Sequence, residues 1–480
     1  MQFNFRKEMK QIIKNLLLLL LCSVGVQTLC YAQEELNCFA IIAGRNATAD
    51  GSVLFAHNED DGGEQMLNVY ISPKGLKLVS DKSVPATEKR RSNKFLWFEF
   101  PRMEVADAAL TEHGLAIASN GCSSREDKED ISEGGILYEL RLLAAQYALS
   151  ARDAVKIMGA FVEKYGYRGS GRTYSVADTK EGWIFSVVKG RHWAAARIPD
   201  DKVMALPNNY ILDKVDPADT LNYYACADLV SYAQQRGWYN PERDGRFSFK
   251  RAYCNPASYN NPRNYLRQRA VMELLGGKSL AANPDSLELF FTPAHKLTVQ
   301  DMIDALSLHE HANADKSHKE LSLVCNDNTI LPIVFQLRSN LTVQIGAVAW
   351  VACGKACVEA FLPWYAGMTQ VPEGYGRHMT PSEAYSLHFK DVTEMQKNYP
   401  AHFYWNFTER WRSIAKDYPA NAPRAIEKRN NFQQILFKRQ QGFEKRMLQM
   451  LGGAGGLQSL TKELNSYTAR AYRDYMAIIE

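Results

Sequence analysis

Cys38-Phe-Ala-Ile-Ile-Ala-Gly-Arg-Asn-Ala-Thr-Ala-Asp-Gly-Ser-Val-Leu-Phe-Ala-His-Asn-Glu-Asp60 is the stretch that decides how this chain reads. Phe39 to Ala43 is an apolar run of strand length, and Asp50-Gly51 is a hairpin-turn dipeptide. Ser52 to His57 reads as the returning strand. If Gly44 faces Ser52, paired residue numbers sum to about 96, and Cys38 lies opposite Asn58. His57, Asn58, Glu59 and Asp60 then stand beside the start of the first strand, so one thiol meets two carboxylates, an amide and an imidazole.

The residues before Cys38 differ from the rest. Arg6, Lys7, Lys10 and Lys14 precede an apolar stretch from Leu16 to Val26, and Cys30-Tyr31-Ala32 follows with small residues where a signal peptidase inspects. This is the order of an export signal over residues 1–32. The apolar stretch is too short to cross a bilayer, which takes roughly 20 residues. The expectation is an exported, periplasmic or extracellular protein with no stable membrane insertion. Cys22 and Cys30 each follow a leucine, whereas lipidation wants a small residue there, so no lipid anchor is expected. Residues 33–37 form a short remnant whose removal, by self-cleavage at Asn37–Cys38, makes Cys38 the first residue. Its own α-amino group, titrating near 8, then serves as general base to its thiol.

The bulk of the chain is ordinary. Of 480 residues, 46% are hydrophobic and 23% charged, a globular composition. Lysine and arginine total 57 against 53 acidic residues, a net charge of +4, and no basic run is interleaved with aromatics. Nucleic acid is therefore not an expected partner. Nine cysteines, two of them in the signal, leave an odd number in the mature chain, which suggests one thiol kept free. Cys353 and Cys357 are candidates to pair with each other or with another cysteine, and the alternative is that the six cysteines other than Cys38 are simply buried thiols. His309-Glu310-His311, with His318 nearby, lacks the i, i+4 spacing of a helical zinc pair and reads as a polar helix exit, so no metal is expected. Gly452 to Gly456 reads as a joint between two C-terminal helices, and no G-x-S-x-G elbow is present.

The stretch from Asn37 to Asp60 resembles the opening of the dipeptidase family that includes bacterial dipeptidase D and the secernins. These are N-terminal-nucleophile hydrolases, distantly related to bile salt hydrolase and penicillin V acylase. The resemblance continues through His113 to Asn120, Leu206-Pro-Asn208-Asn209-Tyr210, Asn261-Pro-Arg263-Asn-Tyr265, Ile330 to Arg338, Ala349-Trp350 and Phe361 to Tyr365. It implies an α+β fold, a four-layer αββα sandwich with an additional helical C-terminal portion. It also implies Cys38 as nucleophile, Asp60 as the carboxylate that orients the α-amine, and Asn120 as the oxyanion donor. Asn208 matches a second site asparagine, with Asn209 an adjacent rival. Arg263 or Arg267 would complete the site, and His57 stands where the family often has arginine, which leaves its role open. Asn120-Gly121 and Asn208-Asn209 also read as turns, and Arg263 with Arg267 as a solvated helix face.

The activity implied is hydrolysis of dipeptides or short peptides with no cofactor. An amidase on conjugated bile salts or N-acyl amino acids is the alternative, and a non-catalytic exported binding protein a third. Apolar periodicity predicts helices over 135–150, 151–165, 226–236 and 264–276, strands over 173–199 and 329–366, and helices over 382–399, 407–418, 422–451 and 457–478. Residues 38–380 are expected to form the catalytic domain and 381–480 a helical region, either an appended lobe or helices closing one side of the core. No oligomeric state follows from the sequence.

Overall fold

Strand β1 (Phe39–Ala43) pairs antiparallel with β2 (Val53–Asp60) in the register Phe39↔Asn58 and Ala40↔His57. The pair sum is thus 39 + 58 = 97 rather than 96, and Cys38, one residue before β1, stands across from Glu59 instead of Asn58. The connection is the cause. It is not a tight turn but runs from Gly44 to Ser52 through a 3-10 turn at Arg45–Ala47. Thr48 Oγ1 donates to Ser52 O, and Asp50 accepts from the Ser52 nitrogen, with Gly51 at φ 75°. Because paired residues share a face, the one-residue difference moves Cys38 from the face of Asn58 and Asp60 to that of His57 and Glu59.

This computed structural model describes residues 38–60, 66–76, 82–99, 107–310, 315–375, 392–451 and 456–479. The expected signal, the remnant 33–37, the boundary at 380/381, His311, residues 382–391 of the expected 382–399 helix and most of the Gly452 to Gly456 joint lie outside them.

The hairpin sits inside a six-stranded sheet of order β10 (Val203–Leu206), β1, β2, β12 (Thr329–Leu337), β13 (Ala347–Val351) and β14 (Leu362–Tyr365). A second, eight-stranded sheet has the order β11 (Tyr223–Ala225), β9 (Trp193–Ile198), β8 (Gly182–Gly190), β7 (Tyr167–Ala177), β6 (Ala116–Gly121), β5 (Ala108–Thr111), β4 (Phe95–Glu99) and β3 (Asn68–Ser72). The sheets stack where β1 and β2 meet β6 and β7. Every residue of β1, β2 and β12 is buried. Strands covered on both faces carry continuous apolar runs instead of alternation.

Helices α1 (Glu139–Tyr147) and α2 (Ala151–Tyr165) cover the outer face of the eight-stranded sheet. Ser150 caps α2 by accepting from the Asp153 nitrogen. Helix α3 (Pro262–Gly276) starts at an Asn261 cap with proline in its first turn and ends at left-handed Gly277. Helix α4 (Val299–Leu306), set by a Thr298–Asp301 capping box, lies on β2 and β12.

The C-terminal helices α5 (Tyr404–Ala415), α6 (Tyr418–Leu451) and α7 (Gly456–Ile479) close the outer side of the six-stranded sheet. Helix α7 packs on β14, the Trp350 ring of β13 meets Phe437 of α6 at 5.2 Å, and Arg338 at the end of β12 pairs with Glu444 at 2.6 Å. The layers are αββα, and of the two expected arrangements for the C-terminal helices, closure of the core is the one observed. Among the described residues no helix is long and apolar enough to cross a membrane.

Candidate active site

Cys38 is 1% exposed, and its thiol donates to Glu59 Oε1 at 3.4 Å and to the Asp60 carbonyl at 3.7 Å. Burial pushes the thiol well above its usual pKa, the charges of Glu59 and Asp60 push it further, and Arg172 opposes them. The sulfur is therefore protonated at neutral pH and needs a base. In the uncleaved chain the Cys38 nitrogen is a peptide nitrogen and cannot be one, which makes Glu59 the nearest acceptor.

Arg267 of α3 reaches the same residue from the other side. Its Nη1 donates to the Cys38 carbonyl at 3.4 Å, and its Nη2 donates to Asn208 Oδ1 and Asn264 Oδ1, each at 3.1 Å. Its Nε donates to the Arg263 carbonyl, one turn earlier. Arg267 is 1% exposed, so the solvated-face reading fails for it, while Arg263 is half-buried. Asn208 Nδ2 donates to the Gly121 carbonyl at 3.1 Å. Its neighbour Asn209 accepts from the Cys254 thiol, so the hydrogen-bonded chain to Cys38 runs through Asn208 and not Asn209.

His57 and Asn120 face each other across the sheet interface. Burial drops the His57 imidazole to about 3, the Arg141 guanidinium adds to the drop, and neighbouring Ser119 and Asn120 oppose it. The imidazole is neutral at physiological pH, where an arginine would carry charge, and lies 3.9 Å from Glu59. Asn120 of β6 donates through Nδ2 to the Leu206 carbonyl at 3.1 Å.

Besides Arg267, two residues that sequence reasoning missed bring positive charge to this region. Arg172 of β7 and Arg141 of α1 both donate to Ser119 Oγ, at 3.0 and 3.2 Å, and Arg141 also pairs with Asp107 at 3.0 Å. Both are buried, and Arg172 Nε with Arg141 Nε and Nη2 has no hydrogen-bond partner among the described residues. A bulge between Tyr167 and Gly171 precedes Arg172, and Gly171 at φ 142° fits where a Cβ would overlap Tyr210 Oη. That glycine beside an arginine in Gly169-Ser-Gly171-Arg172 is the signal that was available.

Asp60 points the other way along β2. Its Oδ2 accepts from Asn326, and its Oδ1 is buried with no hydrogen-bond partner among the described residues. Burial raises its pKa, opposed by Asn326, Thr329, Arg267 and Lys355. Asn58, on the same face, donates to the Leu306 and Val324 carbonyls at 2.9 and 3.0 Å. Asn326 was likewise not anticipated; its turn, Asn326-Asp-Asn-Thr329, reads locally as a loop.

Residues 37–406 match the model of peptidase family C69. The chain is 27% identical over 379 residues to a protein named Probable dipeptidase of Salmonella dublin, covering 71% of this chain and 83% of that one. It is 27% identical over 375 residues to Dipeptidase A of Lactobacillus helveticus, covering 71% and 78%. Among solved structures, penicillin V acylase from Agrobacterium tumefaciens matches with a TM-score of 0.38 at 12% identity, over 70% of this chain and 87% of that one.

Proposed function

Because the chain belongs to peptidase family C69 and is a hydrolase of peptide bonds, we propose that Cys38 is its nucleophile and that dipeptides or other short peptides are its substrates. Export through residues 1–32, supported by their charge and apolar order, precedes activation. The thiol then gives its proton to Glu59, and the sulfur adds to the Asn37 carbonyl carbon. The Asn37–Cys38 bond breaks as its nitrogen takes a proton, and water hydrolyses the resulting thioester. Residues ending at Asn37 leave with a carboxylate, and Cys38 keeps a free α-amine.

In turnover the neutral α-amine takes the thiol proton while sulfur attacks the scissile carbonyl. The leaving amine is protonated, and water, activated by the same α-amine, releases the acid from the acyl-thioester. The buried carboxylate of Asp60 is the acceptor suited to orient that amine. Asn120 and Asn208 carry the amides suited to the oxyanion, on condition that one turns from its present carbonyl partner.

The observation that carries the choice of short peptides is the pair of buried guanidinium groups with N–H donors left over, Arg172, whose charge acts on the Cys38 thiol, and Arg141, which with Arg172 acts on His57. A buried guanidinium with spare donors suits a carboxylate, and a dipeptide brings its own to within one residue of the scissile bond. The first test is the intact mass and N-terminal residue of exported wild-type protein beside Cys38→Ala. Wild type beginning at Cys38, with the variant retaining residues 33–37, is the expected result. Active wild type that begins at Gln33 would defeat the reading.

A further inference from the structure

We propose that His309, His318, Cys325 and Cys357 form a tetrahedral zinc site that clamps the connection between α4 and β12 onto the connection between β13 and β14. The four side chains each offer a ligand atom, and these atoms all lie within 4.8 Å of one another. His318, Cys325 and Cys357 are buried, and His309 is half-buried. Two thiolates and two imidazoles are the donor set of structural zinc sites, and they neutralise the ion's charge inside the protein.

The finer geometry fits. His318 Nε2 stands 3.5 Å from Cys325 Sγ, and two ligands on one zinc with ordinary Zn–N and Zn–S lengths stand about 3.6 Å apart. The other nitrogen of His318, Nδ1, lies 2.5 Å from Asp327 Oδ1. A carboxylate on the far nitrogen fixes the tautomer that leaves the near one to ligate, the outer arrangement typical of zinc histidines. The rings of Trp411 and Tyr418 lie edge-on to His318 at 4.8 and 5.1 Å, which walls the cluster with aromatic surface.

The position gives the clamp a consequence. Asn326, next to Cys325, holds Asp60, and the Val324 carbonyl holds Asn58. Metal on Cys325 therefore immobilises the segment against which the polar end of β2 is built. The ligand spacing, far from a compact motif, hid the site because Cys357 arrives from a different connection.

The test is the zinc content of purified full-length exported protein by mass spectrometry, with a non-reducing peptide map of its thiols. Wild type should carry about one zinc per chain, and His318→Asn and Cys325→Ser should each lower it at least about tenfold. Should a variant fail to fold, wild type suffices. Titration with an organomercurial must release its zinc, and exchange for cobalt must give the thiolate charge-transfer and strong visible bands of a tetrahedral site. Protein that takes up no zinc from excess metal under reducing conditions overturns the proposal. A Cys325–Cys357 disulfide in zinc-replete protein overturns it equally.

Discussion

Glu59 Oε1 accepts a hydrogen bond from the Cys38 thiol at 3.4 Å, across a hairpin whose nine-residue connection sets their pairing. The acid nearest the sulfur is thus Glu59, one position before the aspartate that the family resemblance singles out. Glu59 and Asp60 lie on opposite faces of β2, so their tasks separate: one faces the thiol, the other the Asn326 turn.

If Glu59 is the base of self-cleavage, Glu59→Gln slows removal of residues 33–37 by roughly 10²–10⁴-fold, the usual worth of a positioned base. A time course of intact mass on freshly made precursor measures this. Processing of the variant at the wild-type rate would assign the proton to another group.

Asp60→Asn should leave processing largely intact and lower turnover of a dipeptide in already cleaved protein by about 10²-fold, as loss of an orienting contact does. The loss belongs in kcat, with the melting temperature little changed, because the Asn326 contact has a replacement partner. Equal losses in processing and turnover would mean that Asp60 serves the fold and not the amine.

Arg172→Leu, which keeps the volume and removes the charge, should raise KM for free dipeptides at least about tenfold while sparing their C-terminal amides. An unchanged preference between acid and amide would place the substrate carboxylate elsewhere.

Arg267 is buried against Cys38, Asn208 and Asn264, so Arg267→Ala leaves several buried oxygens without a donor. Denaturant melts should show a loss of about 3 kcal/mol or more, and Arg267→Lys should recover only part of it, since an ammonium cannot reproduce the fork. A loss under about 1 kcal/mol would show that water enters to replace the guanidinium.

His57 makes stability pH-dependent. Its buried imidazole protonates near 3, the unfolded one near 6.5, so between these values the unfolded chain binds more protons. Stability present above pH 6.5 is lost as pH falls toward 3, by up to roughly 5 kcal/mol. His402, held at about 4 by burial, tilts the curve the same way in wild type and variant alike. The difference between wild type and His57→Gln in melts across this range isolates His57, and parallel curves would show that its imidazole is solvated in the native state.

Some of this was readable along the chain. The apolar run after Cys38, the helical periods of 151–165 and 264–276 and the long C-terminal helices are local patterns, because burial of one face imposes its period on neighbouring residues. Family membership was legible in the Asn37–Asp60 stretch for the same reason: its strand, turn and polar tetrad are contiguous. Strands β3, β4 and β5 escaped, each short and separated by long connections, with only pairing to neighbours to define them.

What tertiary structure alone decided is every relationship between distant segments. Spacing within the hairpin could not exclude the 3-10 turn at Arg45–Ala47, so the pairing came out one residue away and the face of Cys38 with it. Arg267 and Arg263 share a helix and a residue type, yet only Arg267 is buried, because Cys38 and Asn208 arrive beside it from elsewhere in the chain. Asn208 and Asn209 are indistinguishable in sequence and are separated only by what their side chains meet. His309, His318, Cys325 and Cys357 show no motif until two connections fold together. Local patterning encodes which residues turn inward, and the packing of sheets and loops settles which of them touch.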